Sequence, residues 1–346
     1  MLQNIYINAR FLTQQTTGVQ RFAIEICKEL IKLNPNIKFV APRNIFHPML
    51  EKELGVITFG LFSSHLWEQI ELPLFLRKRG NPLLLNLCNT GPLLYKNQIV
   101  CIHDLAFMVN PSWFSKSFST VYNFVIPKIA HNSKHIFTVS NASKNEIVKF
   151  LSVPESKVNV VYNGVNFKHF ASKPAIEKSE YLLSVSSIDP RKNLTFLINT
   201  FLKWNHPTYK LLIIGGKSAT FADQKFVDND KIKFLGYVSD EDLVNYYQHC
   251  KAFVYPSLYE GFGLPPLEAL SFGSQVIVSD IPSLREVCGD NAFAYFDPKS
   301  EESLIDSMNL LVNNQNNLEK KSFDLSKYSW KKSAEEINNF LVRFAK

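Results

Sequence analysis

Hydrophobic residues along the chain alternate between short runs rich in β-branched residues and longer stretches with helical spacing. Turn residues bound the short runs, which is typical of buried strands separated by helices. In the first half the predicted strands are IYIN (5–8), IKFVA (37–41), LLLNL (83–87), QIVCI (98–102), IFTVS (136–140) and VNVVY (158–162). In the second half they are LLSVS (182–186), KLLIIG (210–215), KIKFL (231–235), AFVYP (252–256), QVIVS (275–279) and AFAYF (292–296).

The helical patterns between these runs predict an α/β protein. The clearest pattern follows the first strand and places six apolar residues on one helix face: Val19, Phe22, Ala23, Ile26, Leu30 and Leu33. Strands that alternate with helices predict parallel sheets covered on both faces. The polar stretch 167–180 has no strong period and predicts a linker. We therefore expect two Rossmann-like domains facing a central cleft, with ligands at the carboxyl ends of the strands.

Length and composition agree with two soluble domains. The 346 residues are about twice the ~150 residues of one domain, and 46% of them are hydrophobic, which is enough for two cores. The five cysteines are scattered and form no C-x-x-C pair, so we expect neither a disulfide framework nor a zinc site. No apolar run approaches the length of a membrane span or the layout of a signal peptide. These features favour a soluble cytoplasmic protein.

The net charge of +7 is unevenly distributed. Residues 1–170 contain 18 Lys and Arg against 9 Asp and Glu, a balance of +9, whereas the remainder has 20 against 22, a balance of −2. A basic first half indicates an anionic partner, either a lipid surface or a phosphate-bearing substrate, although a merely solvated basic face is an equally good interpretation. No nucleic-acid motif accompanies the charge. The dense basic cluster Arg77-Lys78-Arg79 ends the amphipathic stretch LWEQIELPLFLRKR.

One loop places two carboxylates around glycines and prolines. YEGFGLPPLE (259–268) follows the predicted strand AFVYP, and its two prolines suit the first turn of a helix. Gly261 and Gly263 allow close backbone approach, so the N–H groups at that helix end would bind phosphate oxygens. Glu260 in the loop and Glu268 in the first helical turn would then hold sugar hydroxyls, which outlines a nucleotide-sugar site. Alone, the loop is equally compatible with a solvated turn and a helix-dipole glutamate.

A second loop also leaves a predicted strand and enters a helix. SSIDPRKNL (186–194) contains Arg191 and Lys192 just before the helix begins. Cations at this end oppose the helix dipole by about 0.3 to 1 kcal/mol each, so they indicate an anion in front of them. The two loops together favour a diphosphate site.

Together these motifs resemble the retaining glycosyltransferases of family 4, which have the GT-B fold. The resemblance extends over nearly the whole chain through TGVQRF (17–22), IHDL (102–105), VSNASKNEI (139–147), VVYNGVN (160–166), DPRKN (189–193), GYVSDEDLVNYY (236–247), the Glu-x7-Glu loop and YSW (328–330). It implies an acceptor-binding domain over 1–170, rejoined by a helix at 328–346, and a nucleotide-sugar domain over 171–327. The family includes enzymes of bacterial surface polysaccharide synthesis.

The resemblance assigns roles in the second domain. Glu260 would contact the donor sugar near the reacting carbon, Glu268 would bind the ribose, and Arg191 and Lys192 would neutralise the leaving diphosphate. Further donor-binding positions are Ser187, Tyr237, Val238, Phe262, Gly263 and Leu264. Many members of the family carry an arginine at the position of Ser187.

In the first domain the resemblance assigns two residues. His103 would touch the donor sugar, and Gly18 would let the backbone approach the phosphate or the acceptor. The family often has two glycines there, whereas this chain has Thr17-Gly18. We count His103, Glu260, Arg191 and Lys192 as catalytic through orientation and electrostatics, since no protein base or nucleophile is evident.

The reaction implied is transfer of a hexose from a nucleotide-diphosphate sugar, with retention, to a glycan or polyprenyl-diphosphate-linked acceptor. The P-R-K-N form of the basic turn resembles that of members using GDP-mannose and related deoxyhexose donors, which favours GDP-mannose or a similar donor. A phosphate oxygen would take the acceptor proton. The resemblance implies no cofactor. No metal is expected either, because Asp228-Asn229-Asp230, which has the D-x-D pattern of a metal site, precedes a strand and is typical of a turn. We expect a cytoplasmic protein with peripheral contact at the inner face of the plasma membrane and no nucleic-acid partner.

Two other functions share the predicted fold. A two-lobed sugar-binding protein would have the same sheets and cleft, but it would need export and would not need a cationic diphosphate site. A two-lobed nucleotide-binding protein without transferase activity is the other alternative. A nicotinamide-dependent enzyme would need G-x-G-x-x-G after an early strand, and TTGVQRF does not supply it.

Overall fold

The computed structural model describes residues 4–165, 179–187, 189–215, 230–313 and 323–345. The chain divides into two compact units, which we call the amino-terminal unit (Met1–Gly164 with Ser326–Lys346) and the carboxyl-terminal unit (Val165–Leu325). Most of the predicted linker at 167–180 lies outside the described residues, as do Asp228 and Asn229. No helix within the described ranges has both the length and the hydropathy that a membrane span requires.

In the amino-terminal unit, the described residues form a parallel sheet of seven strands in the order β3-β2-β1-β4-β5-β6-β7. The strands are β1 Ile5–Asn8, β2 Ile37–Ala41, β3 Ile57–Thr58, β4 Leu84–Asn86, β5 Gln98–Cys101, β6 His135–Thr138 and β7 Val158–Val160. The strand order reverses between β1 and β4. At such a switch point the loops diverge to opposite faces of the sheet and leave a crevice at the carboxyl ends of the strands.

Helices cover this sheet. They are Gly18–Leu33, Pro48–Leu54, Ser64–Leu66, Leu72–Arg77, Ala106–Val109, Lys116–Asn132, Asn141–Leu151 and Trp330–Phe344, with a π-helical segment at Trp67–Glu71 and 3-10 turns at Arg10–Thr13, Pro111–Trp113 and Glu155–Lys157. In the first helix Phe22, Ala23, Ile26 and Leu30 are buried, as their spacing predicts.

The last helix belongs to the amino-terminal unit and packs against the first one. The Trp330 ring meets the Phe22 ring edge to face with centroids 5.9 Å apart. The Asn34 side chain donates to Asn338 Oδ1 at 2.9 Å. Residues from the two ends of the chain therefore complete one core.

In the carboxyl-terminal unit, the described residues form a parallel sheet of six strands in the order β10-β9-β8-β11-β12-β13. The strands are β8 Tyr181–Val185, β9 Lys210–Ile214, β10 Ile232–Gly236, β11 Ala252–Tyr255, β12 Val276–Ser279 and β13 Ala294–Phe296. The helices are Leu194–Trp204, Asp240–His249, Leu264–Ser271, Pro282–Cys288 and Glu301–Asn313, with 3-10 turns at Pro190–Lys192 and Gly289–Asn291. This is the doubly wound order of Rossmann folds, and its switch point lies between β8 and β11.

The predicted α/β class with two Rossmann-like parallel sheets is confirmed. Each of the twelve predicted strands overlaps an observed one, with ends that differ by at most two residues. β3, which has only two residues, was not predicted.

Candidate active site

Two loops meet at the switch point of the second sheet. One follows β8 and the other follows β11, and these two strands are neighbours. In the first loop Asp189 holds a single 3-10 turn: its carboxylate accepts from the Arg191 backbone N–H at 3.0 Å and from Arg191 Nε at 2.8 Å. Asn193 ends the turn in a left-handed conformation, with φ 57°. The turn thereby fixes where Lys192 lies.

Lys192 is the centre of a buried polar group. Its ammonium donates to Glu260 Oε1 at 2.6 Å and to the Tyr255 hydroxyl at 2.8 Å. About nine-tenths of each charged side chain is buried. The structure thus brings together Lys192 and Glu260, which are 68 residues apart in the sequence.

The electrostatics keep both partners charged. Burial by itself raises the pKa of the Glu260 carboxyl, but the charges of Lys192 and Arg191 outweigh it and leave the pKa below its ordinary value. Burial lowers the pKa of Lys192, yet Glu260 and Tyr255 more than reverse this and raise it. The pair therefore presents a fixed cation beside a fixed carboxylate, ready to bind an anion next to a hydroxyl.

Backbone contacts hold the two loops in register. The Leu258 N–H donates to the Arg191 carbonyl at 2.8 Å, which ties the loop after β11 to the turn after β8. The Asn193 side chain donates to the Pro298 carbonyl at 2.9 Å. The position of Lys192 relative to Glu260 is thus set by the backbone as well as by the ion pair.

The second loop enters its helix through Gly263. This residue has φ 107°, and a Cβ there would lie 2.5 Å from Leu284 Cδ2. Only glycine accommodates both the backbone conformation and the close approach. The helix Leu264–Ser271 begins immediately afterwards, so its first N–H groups adjoin the loop that carries Glu260.

Glu268 lies deeper than the sequence predicted. We expected it in the first helical turn, which is wrong: it is the fifth residue of the helix Leu264–Ser271. It is buried, and its Oε2 accepts from the Tyr247 hydroxyl at 3.1 Å. The assignment of this carboxylate to the ribose stays a prediction.

The other predicted donor positions fall on the same edge of this sheet. Ser187, exposed, follows β8, whereas Tyr237, also exposed, and the half-buried Val238 follow β10. Phe262 is buried just before Gly263, and Leu264 opens the helix. All of them follow carboxyl ends of parallel strands, and their contact with a donor stays a prediction.

The two predicted site residues of the amino-terminal unit are also at strand ends or helix starts. His103 is buried; its Nε2 lies 2.8 Å from the Leu87 carbonyl, and its ring meets Phe22 edge to face. Burial lowers the pKa of His103 below its usual range, although the Leu87 bond and the charge of Asp104 oppose this. The ring is thus neutral with its proton on Nε2, so Nδ1 can accept a hydrogen bond. Gly18 is the first residue of its helix, and the space around its Cα is open.

Sequence reasoning missed three residues of these sites. Tyr255 anchors Lys192, Asp189 orients Arg191, and Tyr247 holds Glu268. Tyr255 ends the strand that precedes the glutamate loop, and a polar side chain at a strand's carboxyl end was the signal that could have found it.

The architecture of the two units is that of a known class of enzymes. Two units, each built on a doubly wound parallel sheet, are the architecture of GT-B glycosyltransferases. HepE of Anabaena, solved with UDP and glucose, has a TM-score of 0.74 to this chain at 14% identity, over 98% of this chain and 99% of HepE. WaaG, a glycosyltransferase involved in lipopolysaccharide biosynthesis, has a TM-score of 0.66 at 12% identity, over 99% and 97%.

The chain belongs to the family 4 glycosyltransferases. The model "Glycosyltransferase Family 4" matches residues 16–169, and "Glycosyl transferases group 1" matches residues 165–332. The O-antigen chain mannosyltransferase RfbU of Salmonella typhimurium is 37% identical over 222 residues, which is 62% of this chain and 60% of that protein. O-antigen chain mannosyltransferase B of Escherichia coli is 29% identical over 58% of each chain. The matches thus span about three-fifths of these relatives.

Proposed function

We propose that the protein is a retaining hexosyltransferase that moves mannose from GDP-mannose or a similar nucleotide sugar to a glycan or polyprenyl-diphosphate-linked acceptor. The setting would be the synthesis of an O-antigen or capsule-type polysaccharide. Family membership supports the transferase class. The names of two similar proteins, both O-antigen chain mannosyltransferases, support the sugar.

The buried Lys192–Glu260 pair is the observation that carries this proposal. Its two bonds use two of the three N–H groups of the ammonium, and the third can donate to a phosphate oxygen. Glu260 Oε2 can accept from a sugar hydroxyl, because Oε1 already binds Lys192. One rigid pair therefore contacts both sides of the bond that breaks, the diphosphate and the sugar.

The proposed reaction needs no protein nucleophile. As the bond between the anomeric carbon and the diphosphate oxygen breaks, negative charge grows on the diphosphate and positive charge on the sugar ring. Lys192 and Arg191 stabilise the first, and the Glu260 carboxylate stabilises the second. The acceptor hydroxyl attacks from the face that the diphosphate leaves, and its proton passes to a phosphate oxygen. The configuration at the anomeric carbon is then retained.

A donor screen tests the activity. The full chain is incubated with GDP-mannose, UDP-glucose, UDP-galactose and UDP-N-acetylglucosamine, with an alkyl α-mannoside as acceptor, and nucleotide release and glycoside product are measured. GDP release with an α-linked product is expected, with EDTA present or absent. Binding of GDP without turnover of any donor would instead favour a nucleotide-binding protein.

The pair itself is tested with two variants and a control. Lys192→Ala should weaken GDP binding by about 1 to 3 kcal/mol, the range for hydrogen bonds to charged groups. Glu260→Gln keeps the cation and should bind GDP at least as well as the wild type, while transfer falls by about 100-fold or more. Lys203→Ala, which removes an exposed lysine of the same unit, should change neither. Unchanged GDP affinity in Lys192→Ala, measured by calorimetry, would rule out Lys192 as a phosphate ligand.

The amino-terminal unit has a surface suited to a lipid-linked acceptor. Leu66, Ile70 and Leu74 follow one another at four-residue spacing and are 60%, 44% and 50% exposed; we call them the apolar face. The exposed basic cluster, Arg77, Lys78 and Arg79, follows directly. An apolar face beside clustered cations is typical of segments that lie on anionic membranes. We therefore include peripheral membrane contact in the proposal.

A further inference from the structure

A buried carboxylate lies at the switch point of the first sheet, in a network that the motifs did not predict. Glu68 is almost wholly buried, and its Oε1 accepts from the Asn8 side chain at 2.8 Å, from Arg10 Nε at 3.2 Å and from the Thr90 hydroxyl at 3.2 Å. Asn8 ends β1 and also donates to Asn86 Oδ1 at the end of β4. The network therefore marks the edge where ligands bind in doubly wound sheets.

The helix that carries Glu68 is irregular at this point. Residues Trp67–Glu71 form a π-helical segment, and the Trp67 indole, itself buried, donates to the Phe59 carbonyl at 3.0 Å. π-Helical segments are rare in proteins, and those that occur are frequently found at functional sites. The irregularity directs a charged side chain into the protein while the neighbouring His65 stays half-exposed.

The network leaves one oxygen of Glu68 for a histidine. Glu68 Oε2 lies 3.3 Å from His65 Nδ1. Burial by itself raises the pKa of the Glu68 carboxyl, but the charge of Arg10 and the bonds from His65 and Asn8 lower it to about 2. An ionised carboxylate only accepts hydrogen bonds, so His65 Nδ1 must donate. In the neutral ring Nε2 then carries the lone pair, as in dyads where a buried acid orients an imidazole.

An aromatic row lies beside this histidine. The Tyr122 ring meets the His65 ring edge to face at 6.4 Å, and it stacks on Phe118, which in turn stacks on Phe114. Burial raises the pKa of Tyr122, whereas the charge of Arg10 acts to lower it and that of Glu68 to raise it. Aromatic faces next to a few fixed polar groups are typical of small-molecule sites.

We propose that His65, oriented by Glu68, and Tyr122 form a sugar-binding position for the acceptor. His65 Nε2 accepts a hydrogen bond from an acceptor hydroxyl, and the Tyr122 ring packs against the apolar C–H face of the same sugar. Glu68 is a positioning residue, because it is buried and acts through His65. This inference rests on the transferase function proposed above and assigns residues to its acceptor.

The test is a titration of the full chain with octyl α-mannoside below its micellar concentration, in which saturation-transfer NMR measures binding. Loss of one hydrogen bond in His65→Ala should raise the dissociation constant for the glycoside by about tenfold. His65→Gln keeps an acceptor atom and should recover part of the lost affinity. His131→Ala, at an exposed histidine of the same unit, is the matched control and should bind like the wild type. Since His65 is half-exposed, its variants should keep the wild-type thermal midpoint.

GDP binding and kinetics separate this inference from the proposed function. All variants should bind GDP equally and show the same KM for the donor, whereas the KM for the acceptor should rise only in the His65 variants. Equal glycoside affinity in His65→Ala and the wild type would overturn the site, as would no glycoside binding by the wild type. If the glycoside binds through His65 but no donor is turned over, the transferase proposal fails and the sugar site stands.

Discussion

His135, the first residue of β6, is a buried histidine away from the proposed sites. Its ring stacks on Phe340 with centroids 4.6 Å apart and meets Phe137 edge to face. Burial is the largest effect on its pKa, which falls to about 4, and the charges of Arg343 and Lys157 lower it further, against a bond to Asn159. The folded protein therefore holds this ring neutral at a pH where the unfolded chain protonates it.

This histidine makes folding sensitive to mild acid. A folded pKa of about 4 against about 6.5 in the unfolded chain means that stability is lost as the pH falls from 6.5 towards 4. The loss between pH 7 and pH 5 should be about 2 kcal/mol from this residue. The free energy of unfolding is measured in urea at both pH values. In His135→Phe its change between pH 7 and pH 5 should be smaller than in the wild type by that amount, whereas His131→Phe should show the wild-type change. His103, whose pKa is also lowered, adds the same dependence to every variant.

The residues that could be predicted from the sequence are those that stand in short motifs. Arg191, Lys192 and Glu260 each belong to a local pattern, and two of them form the observed pair. Glu68 stands in no such pattern. Its partners Asn8 and Arg10 lie 60 and 58 residues away, and only the sheet order brings β1 and β4 together beside it.

Among the elements of the carboxyl-terminal unit, two helices come into close contact at Gly263. It precedes the helix Leu264–Ser271, and its Cα faces Leu284 in the helix Pro282–Cys288. Gly273 follows the other end of the first helix with φ 74° and has open space around it. Replacing Gly273 therefore tests backbone strain alone, whereas replacing Gly263 tests strain together with steric overlap.

Gly263→Ala should destabilise the protein by about 2 to 4 kcal/mol, since left-handed strain and overpacking add. Gly273→Ala should lose about 1 kcal/mol from strain alone. Denaturant unfolding gives both values. In a Leu284→Ala background, Gly263→Ala should lower the free energy of unfolding by less than it does when Leu284 is present. If the two glycine variants are equally stable, the close contact with Leu284 does not restrict the loop.

Element type was predictable where the apolar pattern is strong. Strands buried on both faces, such as β11 and β12, match their predicted runs to within one residue. β3 was missed because its two residues lie at the sheet edge, where Ile57 is exposed and no apolar run forms. Glu268 was misplaced by part of a turn, because the prolines locate the start of a helix only approximately.

At the scale of the whole molecule, the charge asymmetry predicts salt-dependent membrane binding. The apolar face and the basic cluster lie on one stretch of the amino-terminal unit, which has the positive half of the chain. Each basic residue near an anionic surface contributes about 1 kcal/mol, and the attraction fades beyond a Debye length of about 8 Å. Neutralising Arg77, Lys78 and Arg79 to Gln should thus weaken binding to anionic liposomes by roughly 100-fold in cosedimentation at low salt.

A second triple variant controls for net charge. Lys327, Lys331 and Lys332 are exposed residues of the same unit, and their change to Gln removes the same three charges. This variant should bind anionic liposomes nearly like the wild type. Equal losses in the two triple variants would mean that total charge, not this surface, attracts the membrane. Equal binding to neutral and anionic vesicles at low salt would refute the electrostatic contact.

The return of the chain to its first unit has a consequence for biosynthesis. The helix Trp330–Phe344 completes a core that begins at β1: Ser333 donates to the Tyr162 carbonyl, and Phe340 covers His135. During translation this core stays open until residues 326–345 have left the ribosome, whereas 165–325 emerge as one uninterrupted segment. The unit that is synthesised second can therefore complete its core first, whereas the buried side of the helix Gly18–Leu33 stays uncovered until the helix Trp330–Phe344 packs against it.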